Sequence, residues 1–298
     1  MATLCTIIKR NIKLYFMNKG MFFTSLITPM ILLVLYVTFL KNVYESSFTS
    51  SIAAAGITVS DRLIDGCVAA QLCSSLLAVS AVTVAFCSNF IMVNDKVTGV
   101  SRDFSVSPVK HSILALGYYI ATLISTLIVC YGATALCLGY MAISGWYMSA
   151  LDVLIMIIDI FLLVMFGCAL SSIINIFLKS EGQISAVGTI ISSGYGFLCG
   201  AYMPISSFST GLQNAMMFLP GTYGTAMLRN TMLRGVIEEM GNIGFPSEVL
   251  TQIKDGIDCN LYFFGNQVPI GAMYAVIGVT IAALIAIYVL LNFLRKKN

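Results

Sequence analysis

Six long stretches of the chain carry no Asp, Glu, Lys or Arg: 20–40, 66–94, 112–151, 160–178, 182–228 and 259–294. About 20 apolar residues in helical conformation cross the hydrocarbon core of a bilayer, so these runs predict the membrane-spanning elements. The run 112–151 exceeds one span, and the turn-forming Ser144-Gly145-Trp146-Tyr147 divides it from a following span that carries Asp152 and Asp159. The run 182–228 holds one span, after which come Pro204 and a Ser/Thr-rich segment reaching Pro220. Shorter charge-free stretches near 46–60 and 239–248 are Ser-rich or broken by Gly and Pro, which leaves them outside the membrane. The pattern therefore predicts six spans, at about 20–40, 66–93, 112–142, 150–177, 184–202 and 269–293.

Composition agrees. Of 298 residues, 58% are hydrophobic and 10% charged, against about 25% charged in a soluble domain. This excludes an ordinary cytosolic enzyme and a disordered chain. A net charge of +3, with no basic patch interleaved with aromatics, excludes nucleic acid as a partner. An even number of spans puts both ends of the chain on one side, and the positive-inside rule chooses the side. With cytoplasmic termini, 11 Lys and Arg face inward and 5 outward. The reading is an all-α, multi-pass protein of the cytoplasmic (plasma) membrane, one transmembrane domain over 1–298. The basic-then-apolar N-terminal region followed by Ala53-Ala54-Ala55 imitates a signal peptide, but its apolar run is too long for a signal core and reads as a retained first span.

Three segments lie outside the spans. Residues 1–19 place Leu4, Ile7, Ile8, Ile12 and Tyr15 at helical spacing beside Lys9, Arg10, Lys13 and Lys19, as a basic amphipathic helix in the headgroup layer would. Residues 94–111 form an inner loop in which Gly99 and Pro108 bracket enough chain for two or three helical turns. Residues 203–268 form the largest outer segment: two short helices dipping toward the bilayer, then a polar cap anchored by Phe245-Pro246 and Phe263-Phe264-Gly265.

Motifs of enzymatic chemistry are missing: the sequence contains neither a GxxxxGK[ST] phosphate loop nor HExxH nor GxSxG. His111 is the one histidine, too few for a His-rich metal site, and it falls at a membrane edge. Nine cysteines occur without CxxC. Cys67, Cys73, Cys87, Cys130, Cys137, Cys168 and Cys199 fall in spans, where Cys acts as a small apolar residue; a Cys67–Cys259 disulfide is disfavoured. Asp159 lies about 10 Å deeper along its helix than Asp152. An intramembrane carboxylate marks either an ion pathway or a polar packing contact, and both readings stand at this stage. In the fifth span Gly188, Ser192, Gly196 and Gly200 form a stripe of small residues along which backbones approach closely, within one subunit or between two.

Together these features resemble the membrane subunit of a type-2 ABC exporter (the ABC-2 permease family). The resemblance spans nearly the whole chain. It rests on the amphipathic helix before span one and on the inner loop with Asp95, Thr98-Gly99, Phe104 and Pro108. It rests also on the Gly-rich fifth span followed by Pro204, and on Leu219-Pro220-Gly221-Thr222-Tyr223 leading to Leu228-Arg229, which resembles the family's outer re-entrant segment. The family's usual Glu in the inner loop is Asp95 here, and the outer segment 236–268 is longer than in minimal members. The resemblance implies two permease subunits, identical or paralogous, above two separate ABC ATPase subunits. ATP and Mg would bind to the ATPases, and this chain would hold no cofactor of its own. Asp95, Lys96, Thr98, Gly99, Arg102, Phe104 and Pro108 would form the ATPase-coupling surface. Gly188, Ser192, Gly196 and Gly200 would line the substrate path or the dimer interface, and Pro204, Pro220, Tyr223 and Arg229 would shape the re-entrant region. Apolar walls favour an amphiphilic or hydrophobic cargo (a drug, a lipid-linked molecule or a peptide) facing membrane lipid. The competing reading is an ion-coupled secondary transporter using Asp159; no three-plus-three internal repeat supports it.

Overall fold

A computed structural model of the chain describes residues 2–36, 38, 59–107 and 109–295. The order is α1 (Ala2–Met17), α2 (Lys19–Leu35), α3 (Asp61–Val97), α4 (Val100–Val106), α5 (His111–Ser144), α6 (Ala150–Phe177), α7 (Glu181–Leu198), α8 (Thr210–Met216), α9 (Pro220–Asn242), α10 (Ser247–Gly256), a hairpin of β1 (Leu261–Phe263) and β2 (Asn266–Val268), and α11 (Ile270–Arg295). A helix stands at each of the six predicted spans. Four of them are long and apolar enough to cross a membrane: α3, α5, α6 and α11 over Ile270–Leu294. At 17 and 18 residues, α2 and α7 reach about 26–27 Å at 1.5 Å per residue, short of a core about 30 Å thick. The predicted end of span one, at residues 37, 39 and 40, lies outside the described residues.

The axis of the fold is α3. It is buried on all sides, as a helix apolar all round must be, and packs against α2, α5, α6, α7 and α9. Its Ala, Ser, Cys and Gly residues permit close crossings; a Cβ on Gly167 of α6 would stand 2.8 Å from the Ala81 carbonyl oxygen. The predicted turn closes α5 at Ser144, and α6 opens with a capping box between Ser149 and Asp152. Asp152 is thereby a helix-start residue, and Arg234 pairs with it at 2.5 Å.

α1 bends away from α2 by 71°. Asn18 sets the break, its side-chain oxygen accepting from the Met21 N–H to cap α2. The geometry suits an amphipathic helix lying along the membrane plane beside α5.

The segment after Pro204 forms the expected two helices, of unequal length: the seven-residue α8 and the 23-residue α9, with Pro220 in the first turn of α9. Most of α9 from Gly221 to Leu233 is buried, wedged among α3, α6 and α11. A Cβ at Gly235 would fall 1.8 Å from the Tyr147 carbonyl oxygen, so only glycine permits this approach. The cap holds α10 and the hairpin, which turns through Phe264 and Gly265 at positive φ. Phe218, Phe263 and Phe264 cluster edge to face beneath it.

Candidate functional site

The helix arrangement creates a groove of about 540 Å³ between α2 and α7, floored by α3. Met21, Ile27 and Ile31 form an apolar wall on α2; Cys87 and Phe90 form the floor. The facing wall on α7 carries Ser185, Gly188, Thr189, Ser192 and Ser193. Among the described residues, no Asp, Glu, Lys, Arg or His lines it. Ser193 donates to the Thr189 carbonyl and Thr189 to the Ser185 carbonyl. Each hydroxyl thus spends its proton on its own helix and presents lone pairs outward. The α2 wall is apolar apart from Thr24, and the α7 wall is rich in hydroxyls beside Ile184.

The small-residue stripe divides here. Gly188 and Ser192 line the groove. Gly196 instead receives the ring of Tyr202, 2.4 Å from where its Cβ would be, and Gly200 turns at φ +71° as α7 ends.

Where α3 ends and α4 begins, a clamp joins four helices. Arg10 of α1 donates to both carboxylate oxygens of Asp95 at 2.6 and 2.9 Å. Tyr118 of α5 donates to the same carboxylate, and the Arg10 guanidinium stands 5.5 Å from the Phe104 ring centroid on α4. Asp95 is buried, and bonding to it raises the Arg10 pKa further above its ordinary value. Lys96 turns inward too, donating to the carbonyls of Asn175, Ile176 and Leu178 at the C-terminal end of α6. Thr98 folds back on the Asn94 carbonyl, and Gly99 at φ +85° swings the chain into α4. Arg102 faces outward with Asp103 and Lys110, beside Val106 at 89% exposure. Pro108 lies outside the described residues.

Beside the cap, Arg229 of α9 is 1% exposed. It donates to Ser75 on α3, to the Gly200 and Ile257 carbonyls and to Asp258. Asp258 also accepts from the Ile205 N–H. This knot fastens α9, the core helix, the end of α7 and the cap. Nearby, Tyr223 donates to the Met217 carbonyl and Thr222 to those of Leu198 and Met216. Pro204 precedes a 3-10 turn at Ile205–Ser207. Burial pushes the Cys259 thiol up to about 12, and it and Cys67 are both free thiols.

Asp159 is buried with both oxygens engaged, accepting from Thr231 of α9 at 2.6 Å and Tyr274 of α11 at 2.7 Å. Sequence reasoning singled out Asp95, Asp159 and Arg229 but none of their partners Arg10, Tyr118, Thr231, Tyr274, Ser75 or Asp258. An isolated intramembrane charge signals that a partner exists; spacing along the chain does not say which.

Among known proteins, the sequence model of the family described as ABC-2 type transporter matches residues 2–233. No curated protein and no solved structure matches the chain.

Proposed function

The chain belongs to the ABC-2 type transporter family, and we propose that this permease carries an amphiphilic or hydrophobic substrate (a drug, a lipid-linked molecule or a peptide) outward across the plasma membrane, driven by a separate ABC ATPase. The observation that carries this reading is the uncharged groove between α2 and α7. Its largely apolar wall suits the greasy part of an amphiphile, and its hydroxyl-rich wall suits hydroxyl or amide groups. A small ion would find no charge there.

In this reading α2 and α7 complete a six-span bundle with both ends of the chain cytoplasmic, and α8 with α9 forms the outer re-entrant pair. A second permease, identical or paralogous, faces the α2–α7 side. ATP and Mg belong to the ATPase. The docking face is the outward side of α4, with Arg102, Asp103 and Val106. The buried clamp of Arg10, Asp95, Phe104 and Tyr118 ties α4 to α1, α3 and α5, so displacement of α4 would be passed to the wall and floor of the groove. Asp159 serves packing in this account, since its two hydrogen bonds join α6, α9 and α11; this weighs against the ion-coupled alternative.

The test is reconstitution of the permease with its copurified ATPase in proteoliposomes. Arg102→Glu is expected to reduce ATP-driven export of an amphiphilic dye at least tenfold while membrane insertion stays normal. Export by the charge-reversed variant at the wild-type rate, or a wild-type chain that never copurifies with an ATPase, overturns the proposal.

A further inference from the structure

A second crevice, sharing no lining residue with the groove, lies between α5 and α11. Its volume is about 470 Å³, within the range of about 300–1,000 Å³ typical of small-molecule sites. Two kinds of residue line it. Leu116, Ile285, Val289 and Phe293 are apolar. At the inner end stand His111, Ser112 and Asn292, all polar. Leu116, Val289 and Phe293 are exposed, so the crevice opens sideways to whatever surrounds the bundle. The floor is firm: Tyr288 donates to the Ala115 carbonyl across the two helices.

From the inner end a narrower recess of about 40 Å³ continues past His111 and Asn292 to Ser101 and Lys96. Among the described residues, neither cavity is lined by Asp or Glu. Lys110, next to the lining residue His111, is exposed, and α5 begins without a side-chain cap. The nine residues from His111 to Tyr119 and from Ile285 to Phe293 each span about 12 Å along a helix. That fits within one leaflet, half of a core about 30 Å thick.

We propose that this crevice binds an anionic phospholipid of the inner leaflet. The phosphate and headgroup sit at Lys110, His111 and Ser112, and one acyl chain lies along Leu116, Val289 and Phe293. Charge complementarity selects the occupant: the exposed Lys110 beside a lining free of Asp and Glu, at the end of an apolar slot, suits an anionic head on an acyl chain, and basic pockets between helices on the cytoplasmic side hold such headgroups. This inference is independent of the cargo, which the groove would handle on other helices.

Native mass spectrometry of the full chain, loaded with equal dioleoylphosphatidylglycerol and dioleoylphosphatidylcholine, tests it. One phosphatidylglycerol per chain is expected to persist at collision energies that strip phosphatidylcholine. The exposed pair Lys110→Gln/His111→Gln should cut that retention about tenfold. Leu116→Trp, which fills the slot, should do the same. Lys13→Gln, an exposed cation of α1, should leave it unchanged. Equal retention of both lipids, full retention by the Lys110→Gln/His111→Gln pair, or equal loss with Lys13→Gln overturns the proposal.

Discussion

Arg229 and Asp258 stand 29 positions apart in sequence and meet in a site closed to water. A charge taken out of water costs several kcal/mol unless opposite charge and hydrogen bonds replace hydration. Here Ser75, two carbonyls and Asp258 do so. Arg229→Met should therefore lower stability by about 3–5 kcal/mol, because Asp258 is left buried and unpaired. Adding Asp258→Asn should recover part of that loss. Thermal unfolding in detergent measures both; equal stability of all three proteins would mean the knot contributes nothing. Asp159 illustrates what one residue type can announce. A carboxylate in an apolar run demands donors, and Thr231 and Tyr274 supply them from helices 72 and 115 positions further along.

Among elements, α1 is held by chemistry rather than length. Its apolar side, with Ile7 and Tyr15 buried, packs on the bundle, while Arg10 anchors it to the end of α3. Ile7 meets α5 where Gly117 leaves room; a Cβ there would come within 2.6 Å of the Ile7 side chain. Asp95→Asn keeps the shape of the clamp and removes its charge. Since Arg10 is partly exposed, the expected cost is about 1–2 kcal/mol. Tryptic cleavage at Lys13 and Lys19 should speed up severalfold through local opening of α1; unchanged cleavage would show that packing alone holds it. The helix positions, the break at Gly145 and the short helix after Gly99 were legible in the sequence, because charges, glycine and proline mark where apolar helices stop. The burial of α9 was not. A helix after Pro220 was legible, but its polar positions are buried: Thr222, Thr225 and Thr231 bond to neighbouring carbonyls or to Asp159.

At the scale of the molecule, the α2–α7 side is the surface left for a second permease in the proposed assembly. Ile190 on α7 is 66% exposed and Val279 on α11 70%. With Cys5, the exposed native thiol among the nine, replaced by Ser, Ile190→Cys should be joined between subunits by a short bifunctional thiol reagent. Val279→Cys should stay unlinked. The reverse pattern would move the pairing surface to the α11 side.

By itself the sequence determined that the chain belongs in a bilayer, how its helices divide, and which family it resembles, because transfer of apolar residues from water is a local and additive property. Only the tertiary structure decided that Asp95 and Lys96 turn inward to clamp helices. It also decided that Gly188 and Ser192 line a groove while Gly196 and Gly200 serve packing, and that α9 lies inside the bundle. A side chain's facing and partner depend on helix rotation and crossing, and these are settled by contacts between residues tens to hundreds of positions apart.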